Sequence, residues 1–254
     1  MYSIDQEDLE EKLADPQTSM LILCNPHNPV GKIWDRETLE RIGELCFKHH
    51  VLVLSDEIHC DITRPGMEYI PFASVSEHCK NNSITCVAPT KTFNLAGLQT
   101  AAVIVPDAAL RHRVNRGLNT DEVAEPNVFA AIAPIAAFDR GREWLEELRE
   151  YLWENRKFAE DFIREEIPEL RTVSADATYL LWIDCNALPG DLSELAEFIR
   201  KESGLYVCDG REYGNGYGFL RMNLACRREL LKEGLERLKR SIHSYRKGIS
   251  NGII

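Results

Sequence analysis

Three short apolar runs, each closing on a polar group, limit what this chain can fold into. Met20 to Cys24 runs into Asn25-Pro26-His27-Asn28-Pro29-Val30-Gly31, and Val51 to Leu54 runs into Ser55-Asp56-Glu57-Ile58-His59. Ser83 to Val87 runs into Ala88-Pro89-Thr90-Lys91. Runs that are apolar throughout, not alternating, mark strands covered by helices on both faces. Helical patterns fall between them. Asp5 is placed to cap a first helix with Leu9 and Leu13 on one face, and a second spans about Asp35 to His50. An irregular stretch follows from Asp61 to Ser76, and Thr100 to Val105 forms another strand. This alternation predicts a mostly parallel α/β sheet. Successive strand ends then offer Asn28, Asp56 and Lys91, the layout of a ligand site along the carboxyl edge of such a sheet.

The second half changes character. Residues 108–138 read as helical with a break near Glu125-Pro126. Residues 141–167 form one long amphipathic helix carrying Trp144, Leu145, Leu148, Leu152, Phe158 and Phe162. Beyond it the pattern gives a strand (178–183), a helix (192–202), a short strand (205–207), a strand (219–224) and a closing helix (228–245). Gly210, Gly214, Gly216 and Gly218 lie before the last strand. No helix start follows them, so they read as a flexible loop beside a substrate and not as a phosphate cradle.

Taken singly, each polar strand end has an ordinary reading. A turn lysine is usually solvated, Asp-Glu pairs often cap helices, and Asn-Pro turns are common. Their joint order is what carries information, and Arg221 adds to it. An arginine inside the apolar run 219–224 is unfavourable unless a carboxylate or a structural partner meets it.

With these motifs in place, the chain resembles pyridoxal-phosphate (PLP) enzymes of fold type I, aminotransferase class I/II. Within them it is most similar to the cystathionine β-lyase-like (cysteine-conjugate β-lyase) subgroup. The resemblance implies a partial PLP-binding large domain, mostly parallel sheet with flanking helices, over residues 1–140. It further implies an interdomain helix over 141–170 and a smaller α+β domain over 171–254. Position by position, Lys91 matches the lysine that holds the cofactor aldehyde and moves protons at the substrate α-carbon. Asp56 matches the carboxylate that keeps the pyridine nitrogen protonated, and Asn28 matches the donor to the phenolic oxygen. Thr90 offers a hydroxyl to the phosphate, and Arg221 matches the arginine that takes the substrate α-carboxylate. His59 stands where transaminases usually carry a tyrosine, and a buried hydrogen-bonded histidine is its alternative reading. Ala88 and Gln99 replace a phosphate-binding serine and arginine found in many relatives, and His59 and Gln99 resemble the β-lyase subgroup.

The implied reaction is α,β-elimination on a cystathionine- or cysteine-type amino acid, giving pyruvate, ammonia and a thiol. The alternatives are transamination on the same scaffold, or a non-catalytic chain that needs a partner to complete the site. The family's N-terminal part, with its phosphate cradle and ring-stacking aromatic, has no match in these 254 residues. A feebly active chain is therefore the expectation, with a complementing chain as a partner beside the homodimer usual in the family.

Composition excludes other classes. A net charge of -11 disfavours nucleic acid and anionic membrane as partners. No apolar run is long enough to span a bilayer, and no signal pattern opens the chain. Eight scattered cysteines without a CxxC pair make a disulfide framework or zinc site a poor fit. Reduced thiols of a cytoplasmic protein are the better account, with no metal site.

Overall fold

The computed structural model describes residues 2–251, which divide into two compact units. One comprises 2–27 and 32–148, the other 28–31 and 149–251 among the described residues.

The first unit begins with α1 (Gln6–Ala14), whose first-turn N–H groups donate to the Asp5 side chain, followed by β1 (Met20–Cys24). α2 (Arg36–Lys48) starts at Asp35, which accepts from Thr38 N, and buries Leu39, Ile42, Leu45 and Cys46 on one face. β2 (Leu52–Asp56), a short α3 (Glu77–Asn81) and β3 (Ser83–Val87) follow. The expected strand at 51–54 therefore runs two residues further and ends on Asp56. Strand order is β1-β2-β3-β4, parallel up to β3, with β4 (Ala102–Ile104) antiparallel at the edge. Leu23 and Val53 pack with Leu39, Ile42, Leu45 and Phe72 in one core on the α2 side. α5 (Ala108–Thr120) covers part of the other face through Leu110, against Ile84 and Val105. Between β3 and β4 lies α4, the single turn Pro89–Thr92, and α5 is followed by α6 (Ile132–Arg140). The helical break expected near Glu125-Pro126 is the non-helical stretch between α5 and α6. Then α7 (Arg142–Glu166) forms the one long helix expected at 141–167.

The second unit carries an antiparallel sheet in the order β5-β6-β8-β7. Its strands are β5 (Arg171–Thr172), β6 (Leu180–Asp184), β7 (Cys208–Asp209) and β8 (Phe219–Asn223). The short strand expected at 205–207 lies instead at 208–209, where Cys208 pairs with Arg221. Residues 205–207 serve the core: Val207 is buried and Leu205 packs against the same cluster. α8 (Leu195–Ser203) ends at Gly204 with φ of 70°, and α9 (Arg228–Ser250) closes the chain. The core joins Leu181, Ile183, Leu220 and Leu224 to Ile199, Leu235, Leu238 and Ile242. α7 is fastened to it by buried polar groups. Asn155 Nδ2 donates to the carbonyls of Leu224 and Cys226, both at 2.9 Å, and Arg156 donates to Leu180 O at 2.6 Å. Burying such groups unpaired would cost several kcal/mol, and these bonds offset that cost.

The segment 28–31 is held within this unit by Gly31. Its carbonyl accepts from Asp176 N and Ala177 N at 2.8 and 3.0 Å. Its φ is +73°, and a Cβ there would lie 2.6 Å from Ala177 O and 2.7 Å from Ala175 Cβ. Only glycine satisfies both conditions. Gly31→Ala is expected to cost about 1–3 kcal/mol of stability, read as a lowered urea midpoint. An unchanged midpoint would show that the segment moves freely away from residues 175–177.

Candidate functional site

In the first unit three parallel strands end in one row. Asp56 lies in register with Cys24 on β1 and Cys86 on β3. The row continues past the strands: Asn25 N donates to Asp56 O at 3.0 Å, and Glu57 N donates to Cys86 O at 2.9 Å. The half-buried Asp56 accepts from Ile58 N through Oδ1 at 3.2 Å. His59 is buried three residues on.

Lys91 sits, half-buried, in α4 just beyond β3. That turn is tied on both sides. Thr92 Oγ1 donates to Asp61 Oδ2 at 2.8 Å, joining it to the segment after β2. Phe93 packs edge-on against Phe138 at 5.2 Å and stacks with Trp144 at 5.9 Å. Thr90 is half-buried in the same turn, Ala88 is buried, and Gln99 is exposed with φ of 49°.

In the second unit the guanidinium of Arg221 is half-buried in the middle of β8. It donates from Nη1 to Asn28 Oδ1 at 3.1 Å and from Nη2 to Cys208 Sγ at 3.2 Å. It also lies 4.6 Å from the centre of the Tyr213 ring. Of the expected site residues, Asn28 and Arg221 are thus in direct contact within one unit. Asp56, His59, Thr90 and Lys91 belong to the other.

Sequence reasoning missed Glu57. Strand alternation turns Ser55 and Glu57 away from Asp56, toward the helix-covered side. Glu57 is 2% exposed, and its Oε1 accepts from Ser55 Oγ and from Phe72 N, both at 3.0 Å. Tyr69 lies beside it, and the Tyr69 hydroxyl donates to Asn25 O at 2.9 Å. Asn25 Oδ1 in turn accepts from Trp34 N at 3.2 Å. One buried carboxylate therefore connects the β2 end, the irregular 61–76 stretch and the loop after β1. A sequence cue existed: an acid two residues after a buried serine in an apolar run lies on the serine's face.

The geometry can be compared with known proteins. Residues 1–238 match the family described as aminotransferase class I and II. The chain belongs to that family. It is 43% identical over 242 residues to the Bacillus subtilis cystathionine beta-lyase PatB, covering 95% of this chain and 62% of that protein. It is 33% identical to protein MalY of Escherichia coli, again over 95% and 62% of the two. Among solved structures of the family's fold, cystalysin from Treponema denticola, which contains a pyridoxal 5'-phosphate cofactor, superposes with a TM-score of 0.89. Identity there is 31%, over 96% of this chain and 62% of cystalysin. A PLP-bound C-S lyase from Staphylococcus hominis gives a TM-score of 0.88 at 32% identity, over 95% and 59%. The chain thus spans about three fifths of the length of the relatives it matches. The expected likeness to the cystathionine β-lyase-like subgroup and the α/β architecture are both borne out.

Burial pushes the Glu57 carboxyl above its ordinary value, against the lowering effect of its hydrogen bonds. The folded chain then holds that proton more tightly than the unfolded one. Its stabilising contribution is complete below the unfolded value near 4.5 and is lost as pH rises through the raised folded value. Glu57→Gln keeps an acceptor for Phe72 N and has no proton to lose. The stability of the native chain relative to Glu57→Gln is expected to fall as pH rises from about 4.5, followed by urea midpoints. Parallel pH profiles would rule out the buried acid as their source.

Proposed function

We propose that this chain belongs to a pyridoxal-phosphate-dependent carbon–sulfur β-lyase acting on cystathionine- or cysteine-type amino acids. The observation that carries the reading is Lys91, half-buried one turn beyond β3, beside a strand that ends on Asp56. The donor set fits the cofactor. Asp56 has one oxygen engaged by Ile58 N, which leaves the other for a protonated pyridine nitrogen. Asn28 Oδ1 is taken by Arg221, which leaves its Nδ2 as the donor a phenolic oxygen requires. Thr90 supplies a hydroxyl toward the phosphate, whereas Ala88 has no donor beyond its backbone and Gln99 is exposed. His59, buried after Asp56, is assigned to the same cofactor-binding group.

The bound cofactor supplies an electron sink for negative charge at the substrate α-carbon. The chain's own residues do the rest. Arg221 takes the α-carboxylate through guanidinium N–H groups not used by Asn28 and Cys208. Lys91 would hold the cofactor, and its amine would take the proton from the α-carbon of the bound amino acid. The β-carbon–sulfur bond breaks with its electron pair leaving on sulfur, which is released as the thiol. The remaining three-carbon fragment takes up water and ends as pyruvate and ammonia. Transamination would begin with the same proton. The β-lyase and C-S lyase relatives favour elimination.

Assembly with further polypeptide belongs to this proposal, a second copy of the chain foremost, and after it a complementing N-terminal chain. The support is apolar exposure. Ile132, Ile135 and Phe138 on α6, and Met20, Ile22 and Val103 in the parallel-containing sheet, are all exposed. A cytoplasmic setting accords with the free, buried thiols of Cys46, Cys79 and Cys185. No helix among the described residues is long and apolar enough to cross a membrane.

The test is borohydride reduction of the chain incubated with PLP, followed by peptide mass mapping. A single reduced adduct is expected on Lys91 and none on Lys91→Ala. Pyruvate release from cystathionine should fall by about 10²–10⁴ in that variant, the usual contribution of a positioned acid–base group. An adduct on another lysine, or a rate indifferent to Lys91→Ala, would overturn the proposal.

A further inference from the structure

A guanidinium that must capture a carboxylate by two parallel hydrogen bonds has to be held in one orientation without losing its donors. Asn28 and Cys208 each occupy one N–H of Arg221. An arginine side chain carries five, so three remain and a bidentate carboxylate needs two. Tyr213 holds the same group by other means. Its ring lies 4.6 Å from the guanidinium carbon, and a ring face attracts a cation without consuming any N–H.

The ring is itself immobilised. Tyr213 meets Trp182 edge-on at 5.9 Å and 88°, and Trp182 stacks on Phe219 at 5.0 Å and 9°. Trp182 is buried and directly opposite Arg221 in the β6–β8 register. The Cys208 thiol is the acceptor for Arg221 Nη2. Arg221 is thus held between the Cys208 thiol and the Tyr213 ring, and that ring is backed by two packed aromatic side chains.

We infer that Tyr213 is the positioning residue that sets selectivity for amino acids with a free α-carboxylate, by fixing Arg221 through its ring face. This rests on the reading that Arg221 takes that carboxylate. The Gly210–Tyr213 turn is then a support for the substrate group and not only a flexible loop.

The test compares L-alanine with L-alaninamide, which lacks the carboxylate charge, by calorimetric titration of the PLP-saturated chain. The readout is the ratio of the two dissociation constants. Tyr213→Leu is expected to reduce the preference for alanine about tenfold, within the range of a partly desolvated cation–π contact. Tyr213→Phe, which keeps the ring, should stay within about twofold. If Tyr213→Leu does not fold, Tyr213→Met makes the same comparison, filling the space against Trp182 without a π face. A structural role would weaken both ligands equally, and that result overturns the inference. An unchanged ratio in Tyr213→Leu with a lost preference in Arg221→Lys also overturns it, while leaving Arg221's role standing. No preference in the unaltered chain, or none lost in Arg221→Lys, overturns the Arg221 reading as well.

Discussion

The common register of β1, β2 and β3 is the constraint on which the first unit depends. A parallel ladder fixes neighbouring strands residue by residue, and a slip of one position would reverse every side chain. Because Cys24, Asp56 and Cys86 are aligned, whatever follows each strand emerges on the same edge of the sheet. Asp56 is carried to that edge by the strand itself. Lys91 is carried there by a single turn whose neighbours, Thr92 and Phe93, are bound to separate parts of the unit. The lysine therefore does not depend on its own contacts for placement.

Alternation at the end of β2 separates two carboxylates that are adjacent in sequence. Asp56 meets the sheet edge half-buried, whereas Glu57 is buried under the loops that frame that edge. The first is free to take a charged partner. The second accepts from Ser55 and Phe72 and serves architecture. A one-residue difference in facing gives the two acids different surroundings, and burial raises the proton affinity of Glu57.

Strands and long helices were legible because their hydrophobic periods are long and their caps explicit, as with Asp5 and Asp35. Lys91, Asp56 and Arg221 were legible as charges in places where apolar runs make charge costly. What sequence did not disclose was pairing across long separations. Arg221 meets Asn28 across 193 residues and Cys208 across 13, and no local pattern encodes either contact. Glu57 was hidden by an adjacent acid with a ready explanation, and Tyr213 by glycines that suggested only mobility. Residues 205–207 read as a strand because they are apolar, but Leu205 and Val207 fill the core, Tyr206 is exposed, and the ladder begins one residue later.

The loop after β1 shows how a backbone constraint carries a chemical one. Asn25 belongs to the first unit through Tyr69 and Trp34, while Asn28 to Gly31 belong to the second. The change of allegiance occurs within three residues. It is secured by Gly31, whose carbonyl binds two backbone N–H groups in a space that admits no Cβ. With Gly31 fixed, Asn28 reaches Arg221 and presents its oxygen to the guanidinium, which leaves the amide nitrogen facing elsewhere as a donor. The orientation of that amide is thus decided by Arg221, and the orientation of Arg221 by Tyr213, Cys208 and Asn28 together. A polar group that is oriented before a ligand arrives costs less to organise when it does.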